Sequence, residues 1–269
     1  MHGDHVCRPV SDSGLRRVMA VDFAQQGLWA NDRILFLTDD PGPSALRELL
    51  IVAVPAAEKA ISQGQIVIQA ARDVYLRQGA GFDPQATLDT LIAAIEGAVA
   101  DGYQGLRIDG DLTWLDGTGP DIGALSEYEL GGNMPVLTMP VLGMCHYNPS
   151  VFEAGHWARI ESAHPGHYPD GGALTGIRAI WRDPGVLTLT GTADLANAAA
   201  FASLLRAVPQ RQSLVVDGSQ LEFADAHAMG RLLALSSRQP TTLRVPGAIA
   251  NYLNLLGAAS LPALTLETC

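Results

Sequence analysis

Short apolar runs alternate with longer stretches in which apolar positions recur every three or four residues through the first part of the chain. The runs predict strands at 5–9, 33–38, 65–70, 105–109 and 141–147, and the periodic stretches predict helices at 13–26, 44–50, 56–62, 84–101 and 149–162. Asp83 followed by Pro84 is a helix-start signature, an acid cap before a proline in the first turn. Strands separated by helices give an α/β fold on a largely parallel sheet.

The pattern breaks at 163–172, AHPGHYPDGG, where turn formers crowd together, and this segment reads as a linker. It restarts with strands at 177–182 and 186–190 joined through Asp183-Pro184-Gly185, a hairpin signal. Helix 195–208, strand 213–217, helix 225–238, strand 242–245, helix 248–256 and strand 263–266 follow. The expected organisation is therefore two domains, 1–168 and 169–269, the second a small α/β unit.

A chain of 269 residues is long enough for two ordinary cores. Charge is unevenly divided, with 22 acidic and 10 basic residues up to Asp170 against 6 and 7 from Gly171 on. The acidic part repels phosphate backbones and anionic headgroups, so neither nucleic acid nor a membrane surface is expected as a direct partner. Three cysteines, Cys7, Cys145 and Cys269, show no disulfide framework, and the polar start lacks the apolar segment of a signal peptide; a cytoplasmic location is expected.

The stretch VLTLTGTADLANAAAFASLL followed by SLVVDGSQLEFADAHAMGRLL resembles STAS domains, the fold of bacterial anti-sigma-factor antagonists. The match rests on Gly191 to Asp194 leading a strand into a helix, and on Val216-Asp217 running through Leu221-Glu222-Phe223-Ala224 to Asp225. The resemblance implies a protein-binding surface around Asp194, Asp225, Ala226 and His227, with an anti-sigma factor or related regulator as partner. Family antagonists carry a phosphorylated serine or threonine where this chain has Ala226, so that off-switch is missing. Asp225 reads as a helix N-cap, and His227 as a polar residue of the first turn.

The first part resembles the MEDS family, sensory domains of methanogen and methylotroph regulators of the dichloromethane response, related to RecA/KaiC-type ATPases. The resemblance is carried by His5-Val6-Cys7, by Gly105 through Trp114, by Glu127-Tyr128-Glu129 with Asn133, and by Cys145-His146-Tyr147-Asn148 with Phe152. It implies a RecA-like sheet with helices on both faces and a sensory role. Asp111 departs from the glutamate more usual in the family.

Nucleotide chemistry is not expected. Lys59, the only lysine, lies in AAEKAIS rather than in a glycine loop, and a phosphate loop needs that cation together with its glycines. A divergent magnesium-dependent nucleotidase using Asp109 and Asp111, and a structural adaptor without ligand, are the rival readings. If the strands holding His5 and Tyr147 are sheet neighbours, His5, Cys7, Cys145 and His146 approach one crevice at the sheet's carboxyl edge. Alternation sends Cys145 and His146 to opposite faces, which argues against a metal cluster of all four. The balance favours an organic ligand, with no cofactor or metal. His5, Cys7, Arg107, Asp111, Trp114, Glu129, Cys145 and Tyr147 are the candidate ligand residues, because aromatic walls with a few polar anchors are what small-molecule sites contain. No nucleophile–base pair stands out, so the chain reads as a non-catalytic signalling protein.

Overall fold

The computed structural model describes residues 2–10, 12–77, 81–113, 115, 121–168, 175–183 and 185–269. Ser11, Trp114, Pro184 and the end of the expected linker lie outside them. The chain divides into two compact units, Met1–Ile160 and Glu161–Cys269, the division falling slightly before the expected one.

In the first unit β1 (His5–Pro9) leads into α1 (Ser13–Trp29), β2 (Arg33–Leu37), α2 (Pro43–Ala53), α3 (Ala57–Ser62) and β3 (Ile66–Gln69). A short α4 (Ala71–Tyr75) and the hairpin β4 (Leu76–Arg77) and β5 (Gly81–Phe82) precede α5 (Pro84–Ala100), β6 (Leu106–Asp111), α6 (Ile122–Thr138), β7 (Val141–Tyr147) and α7 (Ala154–Glu161). The main sheet is parallel throughout, in the order β3-β2-β6-β7-β1. Its strands are buried on both faces, which is why they read as continuous apolar runs.

Two cores result. One face of the sheet packs Ile34, Phe36 and Leu142 against Phe23, Leu46 and Leu50 of α1 and α2. The other packs Leu106, Ile108, Cys145 and Tyr147 against Leu88, Leu91, Ile95, Leu125 and Tyr128 of α5 and α6. Asp12 and Asp83 cap α1 and α5, accepting from Gly14 N at 2.7 Å and Ala86 N at 3.0 Å.

Helix α6 is not among the expected elements; Gly131, Gly132 and Pro135 fall inside it. The glycines serve its packing. A Cβ on Gly131 would stand 2.5 Å from Leu88 Cδ1 of α5, and one on Gly132 would stand 3.3 Å from His5 Cε1. Small residues thus bring α6 close enough to touch both α5 and the sheet.

The second unit holds β8 (Gly166–His167), β9 (Thr175–Asp183), β10 (Val186–Ala193), α8 (Ala198–Ala207), β11 (Leu214–Ala224), α9 (Ala226–Leu235), β12 (Thr241–Val245), α10 (Gly247–Leu255) and β13 (Leu264–Thr268). Its strands run in the order β8-β9-β10-β11-β12-β13, antiparallel as far as β10 and parallel thereafter. Phe201, Leu204, Leu232 and Leu253 bury the helices on it, at about 1.5–3 kcal/mol for each fully buried side chain. Gly191 (φ +90°) is required where β9 and β10 converge: a Cβ there would lie 2.2 Å from Gly176 O.

Candidate functional site

Parallel pairing of β1 with β7 sets Cys7 opposite Cys145 and His5 opposite Gly143. Side chains two apart share a face, so His5, Cys7, Cys145 and Tyr147 all point towards α6. That helix contributes Glu129 and Asn133, one turn apart. His5 Nε2 lies 3.2 Å from Glu129 Oε2, Cys145 Sγ lies 3.6 Å from His5 Nε2 and 3.8 Å from Glu129 Oε2, and Tyr147 donates its hydroxyl to Glu129 Oε1. His5 Nδ1 is 2.9 Å from Asn133 Oδ1. Glu129 and Asn133 are wholly enclosed, both at 0% exposure.

This polar cluster forms one wall of a cavity of about 50 Å³ that is otherwise lined largely by Leu88, Leu91, Ile95, Ile108, Tyr128, Pro135, Val136, Val141 and Met144. Burial, then the Glu129 charge, pushes the Cys145 thiol well above its ordinary range. The same two causes, in the same order, raise the Tyr147 phenol, so it stays a proton donor. Phe152 and Trp157 pack their rings at an angle against Tyr147, with centroids 6.1 Å away.

Of the expected ligand residues, His5, Glu129, Cys145 and Tyr147 come together. Cys7 lies beside them in the apolar core. Trp114 is outside the described residues.

Arg107 and Asp111 are turned away, because alternation along β6 places Arg107, Asp109 and Asp111 opposite the Ile108 and Gly110 that line the cavity. Arg107 Nε bonds Asp32 Oδ2 at 2.7 Å, while His2 Nε2 lies 3.0 Å from Oδ1. Burial works to raise the Asp32 carboxyl, but His2 and Arg107 outweigh it and hold it low.

Asp111, at 0% exposure, ties the carboxyl edge of the sheet together. Its Oδ2 meets Arg16 Nη1 at 2.6 Å and accepts from Asp39 N at 3.1 Å and Asp40 N at 3.2 Å; its Oδ1 accepts from Thr113 N at 2.9 Å and Thr113 Oγ1 at 2.6 Å. Asp109 pairs with His146, Nε2 to Oδ2 at 3.1 Å, so Cys145 and His146 do face opposite ways. The start of α1, where a phosphate loop would hold its anion, is occupied by the carboxylate of Asp12.

The residues that sequence reasoning missed are Asn133, Gly132 and Gly143, which seat the His5 ring, and Arg16 and Asp32, the partners of Asp111 and Arg107. Of these only Asn133 carried a signal, standing with Glu129 in one motif at a one-turn spacing.

In the second unit Asp225 caps α9, accepting from Ala228 N at 2.7 Å. Asp194 accepts from Ala196 N at 2.8 Å, and Asn197 Oδ1 accepts from Asp194 N at 3.1 Å, a reciprocal cap. Asp225 N bonds Ala193 O at 2.9 Å, which brings the two helix starts side by side. Ala226 and His227 are exposed there, and Arg231 Nε donates to His227 Nε2 at 3.1 Å. Leu195 and Phe223 stand in solvent beside these caps, 85% and 51% exposed.

The first unit is an α/β domain with a buried polar cluster and the second a smaller α/β domain, and the comparisons with known proteins assign each to a family. Residues 4–165 match the family model described as MEDS, MEthanogen/methylotroph, DcmR Sensory domain, and the chain belongs to that family. Residues 179–264 match a second model, described as Mlab, STAS domain. Among curated proteins the chain is similar to the "Transcriptional repressor DcmR" of Methylorubrum extorquens (strain DSM 6343 / CIP 106787 / DM4), 26% identical over 152 residues, which are 56% of this chain and 54% of that protein. The chain thus spans about half the length of that relative. Among the described residues no helix is long and apolar enough to cross a membrane.

Proposed function

We propose that the protein is a non-catalytic regulator in which the cavity of the MEDS domain takes a small ligand and the STAS domain binds a protein partner, an anti-sigma factor or related regulator. The observation that carries the sensory half is the cavity with one polar wall, His5, Glu129 and Cys145, and apolar walls elsewhere. Such a site recognises by shape and a few anchored polar groups. The description of the matched family as a sensory domain and the repressor role of the similar protein support regulation.

The transmitting half is supported by the paired helix starts at Asp194 and Asp225 with solvent-facing Leu195 and Phe223, an apolar patch of the kind proteins use for contact. Ala226 has no hydroxyl, so control passes to the first domain. Asp109 paired with His146, and Asp111 saturated by Arg16 and four other donors, leave neither carboxylate for magnesium; this favours the regulator over a nucleotidase.

Thermal-shift screening of the full chain against magnesium nucleotides, divalent metals and small apolar organic compounds tests the reading. A hit is expected from the metals or the apolar compounds, and Val136→Phe, which fills the cavity, should abolish an apolar hit. Absence of any hit, or one that Val136→Phe leaves intact, removes support for the sensory half.

A further inference from the structure

We infer that His5, Glu129 and Cys145 form a site for a single divalent transition-metal ion of the zinc or cobalt(II) type. The inference rests on the reading of this cavity as the ligand site and gives its polar wall a specific occupant.

The donor spacing is the first argument. A tetrahedral ion with bonds of about 2.05 Å to nitrogen, about 2.1 Å to oxygen and about 2.3 Å to sulfur sets donor–donor edges of about 3.4 Å for N–O, about 3.6 Å for N–S and about 3.6 Å for O–S. The corresponding separations here are 3.2, 3.6 and 3.8 Å. Three donors from three elements, β1, α6 and β7, thus already stand at the corners of one face of such a tetrahedron.

Hydrogen bonding around the donors is the second. Asn133 Oδ1 anchors the far ring nitrogen, His5 Nδ1, at 2.9 Å. His5 Nε2 is turned to a carboxylate oxygen and a sulfur. Tyr147 meanwhile takes Glu129 Oε1 and leaves Oε2 towards His5 and Cys145. A ring whose far nitrogen is anchored to a carbonyl, and a carboxylate oriented through its second oxygen, are the supports that metal ligands have. Gly132 and Gly143 flank the imidazole at 3.3 and 3.4 Å from where their Cβ atoms would be, and so fix its plane.

Donor type chooses the ion. A thiolate with an imidazole and one carboxylate suits zinc or cobalt(II), and magnesium or calcium would call for oxygen alone. Binding exchanges the Cys145 thiol proton for the metal and releases it to solvent.

Cobalt chloride titrated into the metal-free full chain tests this. One equivalent should bind, with the intense visible absorption of four-coordinate cobalt(II) and a near-ultraviolet sulfur-to-cobalt charge-transfer band, both displaced by zinc. Cys145→Ser should lose the band, and Asn133→Ala should weaken binding about 10- to 100-fold. The double variant Cys7→Ser/Cys269→Ser, in which Cys145 is the remaining thiol, should keep the band, and this arm holds even if Cys145→Ser does not fold. Weakly absorbing cobalt without the band, or its loss in the double variant, overturns the inference. If cobalt fails to bind while an apolar compound still stabilises the chain through a Val136-sensitive cavity, the metal falls and the ligand site stands. If neither binds, both fall.

Discussion

Replacing Asp111 by alanine separates an architectural carboxylate from a catalytic one. The side chain is fully enclosed, its partner Arg16 is 7% exposed, and their charges meet at 2.6 Å. Truncation strands the guanidinium in the protein and leaves two loop amides and Thr113 without their acceptor. Breaking a buried ion pair from one side costs about 3–5 kcal/mol. For a unit of this size each kcal/mol moves the midpoint by about 2–4 °C, so a drop of about 6–20 °C in the first unit's transition is expected. Thermal and urea unfolding, followed by circular dichroism and tryptophan fluorescence, read the change. Arg16→Met/Asp111→Leu should recover much of it, because removing both charges removes the orphan.

The pH response gives a second reading of the same residue. Burial tends to raise the Asp111 carboxyl, but the Arg16 charge and the Thr113 bonds outweigh it and leave the folded value below the ordinary one. The pair's contribution is therefore complete above the unfolded value of about 3.9 and is lost as pH falls through the lowered folded value. Asp111→Asn should remove that part of the acid slope. A loss under about 1 kcal/mol for Asp111→Ala, or a gain, would refute the reasoning, since carboxylates held for magnesium tend to be neutral or destabilising to the fold.

Other expectations follow from the remaining geometry. Asp225→Ala should cost about 1 kcal/mol of second-unit stability, measured by urea unfolding, through loss of the bond to Ala228 N. Ala226→Asp adds charge at a helix start that favours it, so stability should hold to within about 0.5 kcal/mol; partner affinity, measured by calorimetry, should fall at least about tenfold, as after the phosphorylation it imitates. Leu195→Asp and Phe223→Ala should weaken the same complex, at a cost to stability kept small by their exposure. A phosphate-release assay with ATP and magnesium should read blank levels for the wild type and for Asp109→Ala alike; turnover lost in the variant would revive the nucleotidase.

Much of the scaffold was legible in the chain because parallel strands and amphipathic helices leave separate periods. His5–Pro9 and Val141–Tyr147 agree with expectation end to end. Helix α6 was hidden because its glycines answer to packing against Leu88 and His5, a tertiary demand that local propensity cannot display. The cluster itself was half legible. His5, Cys145, Tyr147 and Glu129 were all candidates, but only the β1–β7 register and one turn of α6 bring them together. Arg107 and Asp111 stood among them as residues of a family motif, a grouping that takes no account of the alternation along β6. That alternation assigns them to the opposite face, where Asp32 and Arg16 wait 75 and 95 positions away in sequence.

On the proposed function, occupancy of the MEDS cavity sets the affinity of the STAS surface for its partner. Linkage makes this reciprocal, so the compound or ion found by screening should be titrated calorimetrically into the full chain with and without the captured partner. A shift of about 5-fold or more in ligand affinity, matched by an equal shift in partner affinity when the order is reversed, is the predicted result. Identical affinities in both titrations would contradict the account.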